Sequence, residues 1–214
     1  DLGIAFDGDA DRCFFVDDTG EFVPGDFATA LLAESMLEKE PGGTIIYDVR
    51  ASWAVRDRVE RLGGTAVMSR VGHAFIKLRM REVDALFAGE VSGHYYFRDF
   101  FYADTGLVPA LLVMEMIATA GTPLSEMVAG FRERYHVSGE INSMVDDVPA
   151  ALGRLRERYG DGNQFEIDGL SVEYEDWHFN VRPSNTEPLL RLNLESLVSE
   201  EDMERRRDEV LEVI

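Results

Sequence analysis

The chain has 214 residues, with 41 Asp or Glu against 21 Lys or Arg, for a formal net charge of −20. With 45% hydrophobic residues it is globular and not a disordered acidic tail, and its length provides one or two domains with a core. So negative a surface excludes nonspecific binding to nucleic acid or to an anionic membrane face, because its field repels phosphate backbones. A phosphorylated small molecule stays compatible where a local pocket supplies cations.

The first residues, 1–6, read as an apolar strand. An acidic loop, a second strand at Phe14-Phe15-Val16 and a turn at Asp17-Asp18-Thr19-Gly20 make a hairpin of residues 1–25. Residues 27–39 read as a helix. Strands at 44–47, 65–68 and 85–88 then alternate with helices at 53–62, 74–81 and 107–120, with Gly63-Gly64 as a helix stop. Such alternation predicts an α/β fold, a parallel-type mixed sheet with helices on both faces. Ligands of such sheets bind beyond the strands' C-terminal ends. The loops 48–52, 69–73 and 89–94 are therefore expected to converge.

After Tyr135 the pattern changes to a smaller α+β domain. It has strands at 141–145, 165–174, 177–181 and 189–194, a helix at 148–159, and a final helix opened by the capping signal Ser199-Glu200-Glu201-Asp202. Lys39 and Lys77 are the lysines, the other basic residues being arginine, which reads as GC-rich codon bias or salt adaptation. The single Cys13 excludes an intrachain disulfide and fits a reducing cytoplasm. The longest apolar stretch, 107–120, contains Glu115 and is too short to span a bilayer. No leader is recognisable, so a cytoplasmic location is expected. A strand at one end and an uncapped helix at the other predict a fragment of a longer protein.

Three loops carry chemistry. In Asp7-Gly8-Asp9-Ala10-Asp11-Arg12, three carboxylates alternate with small residues. A tight loop aims such oxygens at one point, as a hard divalent cation requires, and without a cation they repel one another. An EF-hand would need Gly where Arg12 stands and Glu where Asp18 stands. In Gly89-Glu90-Val91-Ser92-Gly93-His94, glycines permit a sharp turn. Glu and Ser suit sugar hydroxyls, and His94 is a candidate acid or base. The motif is no nucleophile elbow, which needs Gly where Glu90 and His94 stand. In Arg182-Pro183-Ser184-Asn185-Thr186-Glu187-Pro188, a guanidinium, neutral donors and a turn make a phosphate cradle. Arg191 reads either as a second cation or as a strand-face ion pair.

In this order and spacing the three motifs resemble the α-D-phosphohexomutases, most closely the phosphomannomutase/phosphoglucomutase branch. The resemblance implies 1–25 as the end of domain 2 with the metal loop, 26–136 as domain 3 with the sugar loop, and 137–214 as domain 4 with the phosphate loop. It implies Mg²⁺ at Asp7, Asp9 and Asp11, and sugar hydroxyls at Glu90 and Ser92. The substrate phosphate falls to Arg182, Ser184, Asn185 and Thr186. Arg12 would act beside the catalytic phosphoserine, and His94 as a general acid/base. Ser69-Arg70-Val71-Gly72-His73 with Lys77 resembles a further active-site loop, making His73 a contact or proton-transfer group and Lys77 a substrate contact. Arg50, also a substrate contact, stands where relatives often carry Lys, which differs as a phosphate ligand. Val91 and His94 favour this branch over the phosphoglucosamine mutases and the dedicated phosphoglucomutases.

The family's Thr-Ala-Ser-His-Asn-type phosphoserine loop does not occur in the chain. The resemblance thus implies part of an intramolecular phosphotransferase that interconverts mannose or glucose 1-phosphate and 6-phosphate. It would act through a phosphoserine enzyme and a hexose 1,6-bisphosphate intermediate. The chain alone would be inactive, with the missing N-terminal domains as its partner. Two other readings stand beside it. One is a haloacid-dehalogenase-type phosphatase with Asp7 as nucleophile, a family that usually has Thr or Val where Asp11 stands. The other is a non-catalytic sugar-phosphate- or metal-binding module.

Overall fold

The computed structural model describes residues 1–184 and 187–214. It divides into two compact units, Asp1–Arg132 and Glu133–Ile214. The first opens with an antiparallel sheet of β1 (Gly3–Phe6), β2 (Cys13–Val16) and β3 (Phe22–Val23). Next come α1 (Gly25–Lys39), β4 (Thr44–Asp48), α2 (Trp53–Arg61), β5 (Thr65–Ser69), α3 (His73–Val83) and β6 (Phe87–Gly89). They are followed by β7 (Tyr95–Phe97), a 3₁₀ turn, β8 (Ala103–Asp104), α4 (Leu107–Ala120) and α5 (Leu124–Arg134).

The second sheet runs in the order β5-β4-β6-β7-β8. β4 is parallel to β5 and β6, whereas β7 and β8 return antiparallel, so the sheet is mixed. Its central strands β4, β6 and β7 are buried on both faces, which explains their continuous apolar runs, whereas the edge strands β5 and β8 are partly exposed. Ile46, Ala88 and Tyr96 pack with Ile76 and Met80 of α3. By the two-residue period, Phe87 and Gly89 point the other way, toward α1: a Cβ on Gly89 would lie 2.2 Å from Thr29 Oγ1. Helices thus cover both faces, as the alternation predicts. Helix α2 starts at Ser52, whose Oγ accepts from Ala54 N at 3.0 Å.

The second unit holds β9 (His136–Val137), β10 (Ile141–Met144), α6 (Val148–Arg158), β11 (Asn163–Phe165), β12 (Leu170–Glu173), β13 (Trp177–Pro183), β14 (Leu189–Ser196) and α7 (Glu200–Leu211). Its antiparallel sheet has the order β10-β14-β13-β12-β11, with β9 also on β14. Trp177, Phe179 and Val181 alternate with polar residues, as do Leu190, Leu192 and Leu194. These apolar side chains form one core with Leu155 of α6 and Val210 of α7. Ser199 caps α7 by accepting from Asp202 N, as its sequence signals.

Besides the short strands β3, β7, β8 and β9, which the sequence pattern does not predict, two features depart from the expected elements. The strand read over 165–174 is a hairpin, β11 and β12, because Asp168-Gly169 is a turn signal and Gly169 has φ +70°. A Cβ there would also meet Val181 O at 2.3 Å. Helix α5 follows α4 after Gly121 (φ +65°), at an angle of 101°. Among the described residues no single helix is long and apolar enough to cross a membrane.

Candidate functional site

The three loops expected to converge do so through main-chain N–H donors, one bonded to a carbonyl and two to buried carboxylates. Val49 N donates to Ser69 O at 3.0 Å, joining loops 48–52 and 69–73. Val91 N donates to Asp48 Oδ2 at 3.0 Å, joining the first to loop 89–94. Gly72 N donates to Glu90 Oε1 at 3.0 Å, closing the circle. Gly72 sits at φ +120°, a conformation that side chains resist.

Two fully enclosed carboxylates hold this cluster. Asp48 accepts both Nε (2.9 Å) and Nη2 (2.8 Å) of Arg50. Burial pushes the Asp48 carboxyl up, but the Arg50 charge and the hydrogen bonds from Arg50 and Val91 outweigh it and hold the group below the usual carboxylate range. Glu90 is 2% exposed. Besides Gly72, it accepts the Tyr96 hydroxyl at 2.6 Å. Burial and the adjacent Glu90 carboxylate push the Tyr96 phenol well above its usual range, so it stays a donor.

The acidic loop lies beside the same cluster. Asp7, Asp9 and Asp11 each place one carboxylate oxygen within 4.8 Å of the others. Ala10, at φ +60°, turns the loop. Arg12 Nε pairs with Asp7 Oδ2 at 3.2 Å, and Asp11 Oδ1 is buried without a hydrogen-bond donor. A bridge between Arg12 and His94, with Cys13 N donating to Gly93 O at 3.0 Å, stitches this loop to the 89–94 loop. His94 Nε2 lies 3.7 Å from Asp11 Oδ1, and its Nδ1 is hydrogen-bonded to Ser92 Oγ at 2.9 Å. Asp11, His94 and Asp104 form a second close group. There Lys77 Nζ pairs with Asp104 Oδ1 at 2.6 Å and lies 5.7 Å from the Tyr96 ring centroid. His73 is exposed at the start of α3. The three carboxylates and the orphaned Asp11 oxygen fit a hard divalent cation.

In the second unit, Arg182 and Arg191 stand directly opposite each other on β13 and β14. Glu140 accepts from both, through Oε2 to Arg182 Nη2 at 3.1 Å and Oε1 to Arg191 Nη1 at 3.0 Å. Ser184 N donates to Leu189 O at 2.9 Å at the root of the 182–188 loop. Asn185 and Thr186 lie outside the described residues. Asp48, Tyr96, Asp104 and Glu140 are the site-forming residues that sequence reading missed. Tyr96 carries a faint signal, two residues beyond His94.

Fold and loops together define a mixed-sheet α/β domain with a loop cluster at its strand ends, followed by an α+β domain. The description "Phosphoglucomutase/phosphomannomutase, alpha/beta/alpha domain III" matches residues 24–135, and "Phosphoglucomutase/phosphomannomutase, C-terminal domain" matches 140–213. The chain belongs to the phosphoglucomutase/phosphomannomutase family. It is 48% identical to a phosphomannomutase of Salmonella montevideo over 100% of this chain and 47% of that protein. It is 46% identical to phosphohexose mutases of Xanthomonas campestris pv. campestris over 98% of this chain and 47% of theirs. A solved phosphoglucomutase/phosphomannomutase family protein of Burkholderia thailandensis superimposes with TM-score 0.86 at 33% identity, covering 100% of this chain and 46% of that one. The chain thus spans about half the length of the curated relatives it matches.

Proposed function

We propose that this chain is the metal-, sugar- and phosphate-binding part of a hexose-phosphate mutase acting on mannose or glucose phosphates. Residues 1–25 end domain 2, 26–136 form domain 3 and 137–214 form domain 4. The observation that carries this reading is the stitched pair of loops, with three convergent carboxylates on one and Ser92 and His94 on the other.

Asp7, Asp9 and Asp11 would hold Mg²⁺, which when bound neutralises charge developing on a transferring phosphoryl group. Arg182 and Ser184, with Asn185 and Thr186, would bind the substrate phosphate. Ser92 would orient a sugar hydroxyl. Glu90, with both oxygens engaged inside the protein, would act in sugar binding by fixing the loop that presents Ser92. Arg50 and Lys77 would contact substrate only in competition with Asp48 and Asp104. His94, or His73 from the start of α3, would take the hydroxyl proton as the sugar oxygen bonds to phosphorus and the bond from a serine oxygen breaks. Arg12 would face that serine, supplied by domains outside this chain. A 1,6-bisphosphate would then reorient and return its other phosphate.

The compartment that suits a free, buried Cys13 is the cytoplasm. Titration calorimetry with Mg²⁺ and mannose 1-phosphate tests the site. Binding of both is expected, with sugar-phosphate binding weakened about thirtyfold in Arg182→Ala. The 214-residue chain supplied with Mg²⁺ and a bisphosphate activator is expected to turn over no hexose 1-phosphate. Robust turnover would refute its dependence on further domains.

A further inference from the structure

Arg182 and Arg191 are like charges facing each other across two strands, an arrangement that is destabilising without a shared anion. Glu140 is that anion. It follows Gly139 (φ +68°) and directly precedes β10, and it gives one oxygen to each guanidinium. The group still carries one net positive charge, and its hydrogen bonding is incomplete. Arg182 Nε and Arg191 Nε are both buried and both lack an acceptor. A buried donor left unmade is costly. A phosphate has three terminal oxygens and up to two charges, so it can meet donors that one carboxylate leaves unmet. The Glu140 side chain is 26% exposed, so it has water to turn into.

We propose that Glu140 is a built-in stand-in anion that occupies the Arg182–Arg191 pair when the site is empty and gives it up to an incoming phosphate. This rests on the phosphate-loop reading above. Its consequence is an affinity set low on purpose: phosphate must displace a carboxylate to enter, and the carboxylate refills the pair as phosphate leaves. A site that has to release and recapture a phosphate in every cycle is suited by such a competitor.

The test is titration of inorganic phosphate into the isotope-labelled 214-residue chain, followed by NMR at the Arg182 and Arg191 Nε–H groups and the Glu140 side-chain carboxyl carbon. All three signals are expected to move with one saturation curve. Glu140→Gln, which removes the competing charge, is expected to tighten phosphate at least fivefold. Glu140→Asp, which keeps the charge, should stay within about twofold of the parent. A residue that merely orients the arginines would give the opposite sign, so a folded Glu140→Gln chain with equal or weaker affinity overturns the proposal. If Glu140→Gln does not fold, the parent chain decides: arginine signals that saturate while the Glu140 carbon stays still also overturn it. Arg182→Ala separates the layers. Phosphate affinity that survives it refutes the phosphate loop itself, and Glu140 with it. Affinity lost in Arg182→Ala but not raised in Glu140→Gln refutes Glu140 alone.

Discussion

Two clusters of buried charge, one in each unit, are treated in opposite ways. In the first, Asp48 and Glu90 are enclosed and supplied with donors: Arg50 and Val91 for one, Gly72 and Tyr96 for the other. In the second, the row of Arg182, Arg191 and Asn193 ends in buried nitrogens without acceptors. Satisfied carboxylates fix loop geometry, because moving any partner strands a charge. Unsatisfied donors do not fix geometry; they leave interaction energy for something that arrives. The Asp48–Glu90 cluster holds a shape; the arginine row, on the phosphate-loop reading proposed above, would capture an anion.

Mutations break the comparison if they affect the units alike. Asp48→Asn leaves the Arg50 guanidinium buried without its carboxylate, and is expected to cost about 3 kcal/mol in urea unfolding. The pH dependence has a fixed sign. Because the folded Asp48 pKa is depressed, its stabilising contribution is complete above the ordinary carboxylate value of about 3.9. The contribution fades as pH falls through the lower folded value. Acid titration of the Asn variant should therefore be flatter in that window than the parent's. Arg182→Ala should show the reverse pattern. Hexose-phosphate binding is expected to fall about thirtyfold, or about 2 kcal/mol, with little change in the unfolding midpoint. A large stability loss there would make Arg182 a scaffold residue and erase the contrast.

Tyr96→Phe sharpens the first half of the comparison. It strands one Glu90 oxygen, with an expected cost of about 1.5 kcal/mol by chemical denaturation. A stability unchanged by this variant would mean that Glu90 is not held as described. Ser199→Ala removes a helix cap that belongs to none of the three loops. It should lower stability by about 1 kcal/mol and leave metal and phosphate titrations where they were.

What the sequence makes legible follows the range of the interactions. The Asp7, Asp9, Asp11 loop is readable because its chemistry is packed into six residues. The convergence of the 48–52, 69–73 and 89–94 loops is readable because strand–helix alternation dictates where strand ends point. Glu140 is invisible, lying 42 positions from Arg182 and joined to it only by sheet register. Asp48 and Arg50 are two positions apart in sequence, yet their pairing depends on burial that no local pattern announces. The hairpin at 163–173 was legible in principle, since Asp168-Gly169 is a turn signal, but the apolar residues around it read as one strand.

The bridge between Arg12 and His94 has a thermodynamic consequence. Cys13 N on one side and Gly93 O on the other make a single stretch of backbone serve two loops. Any occupant of the aspartate loop that shifts this stretch changes the energy of the 89–94 loop, and linkage requires the return effect to be equal. A cation and a sugar bound there would each report the other's presence through affinity, without touching.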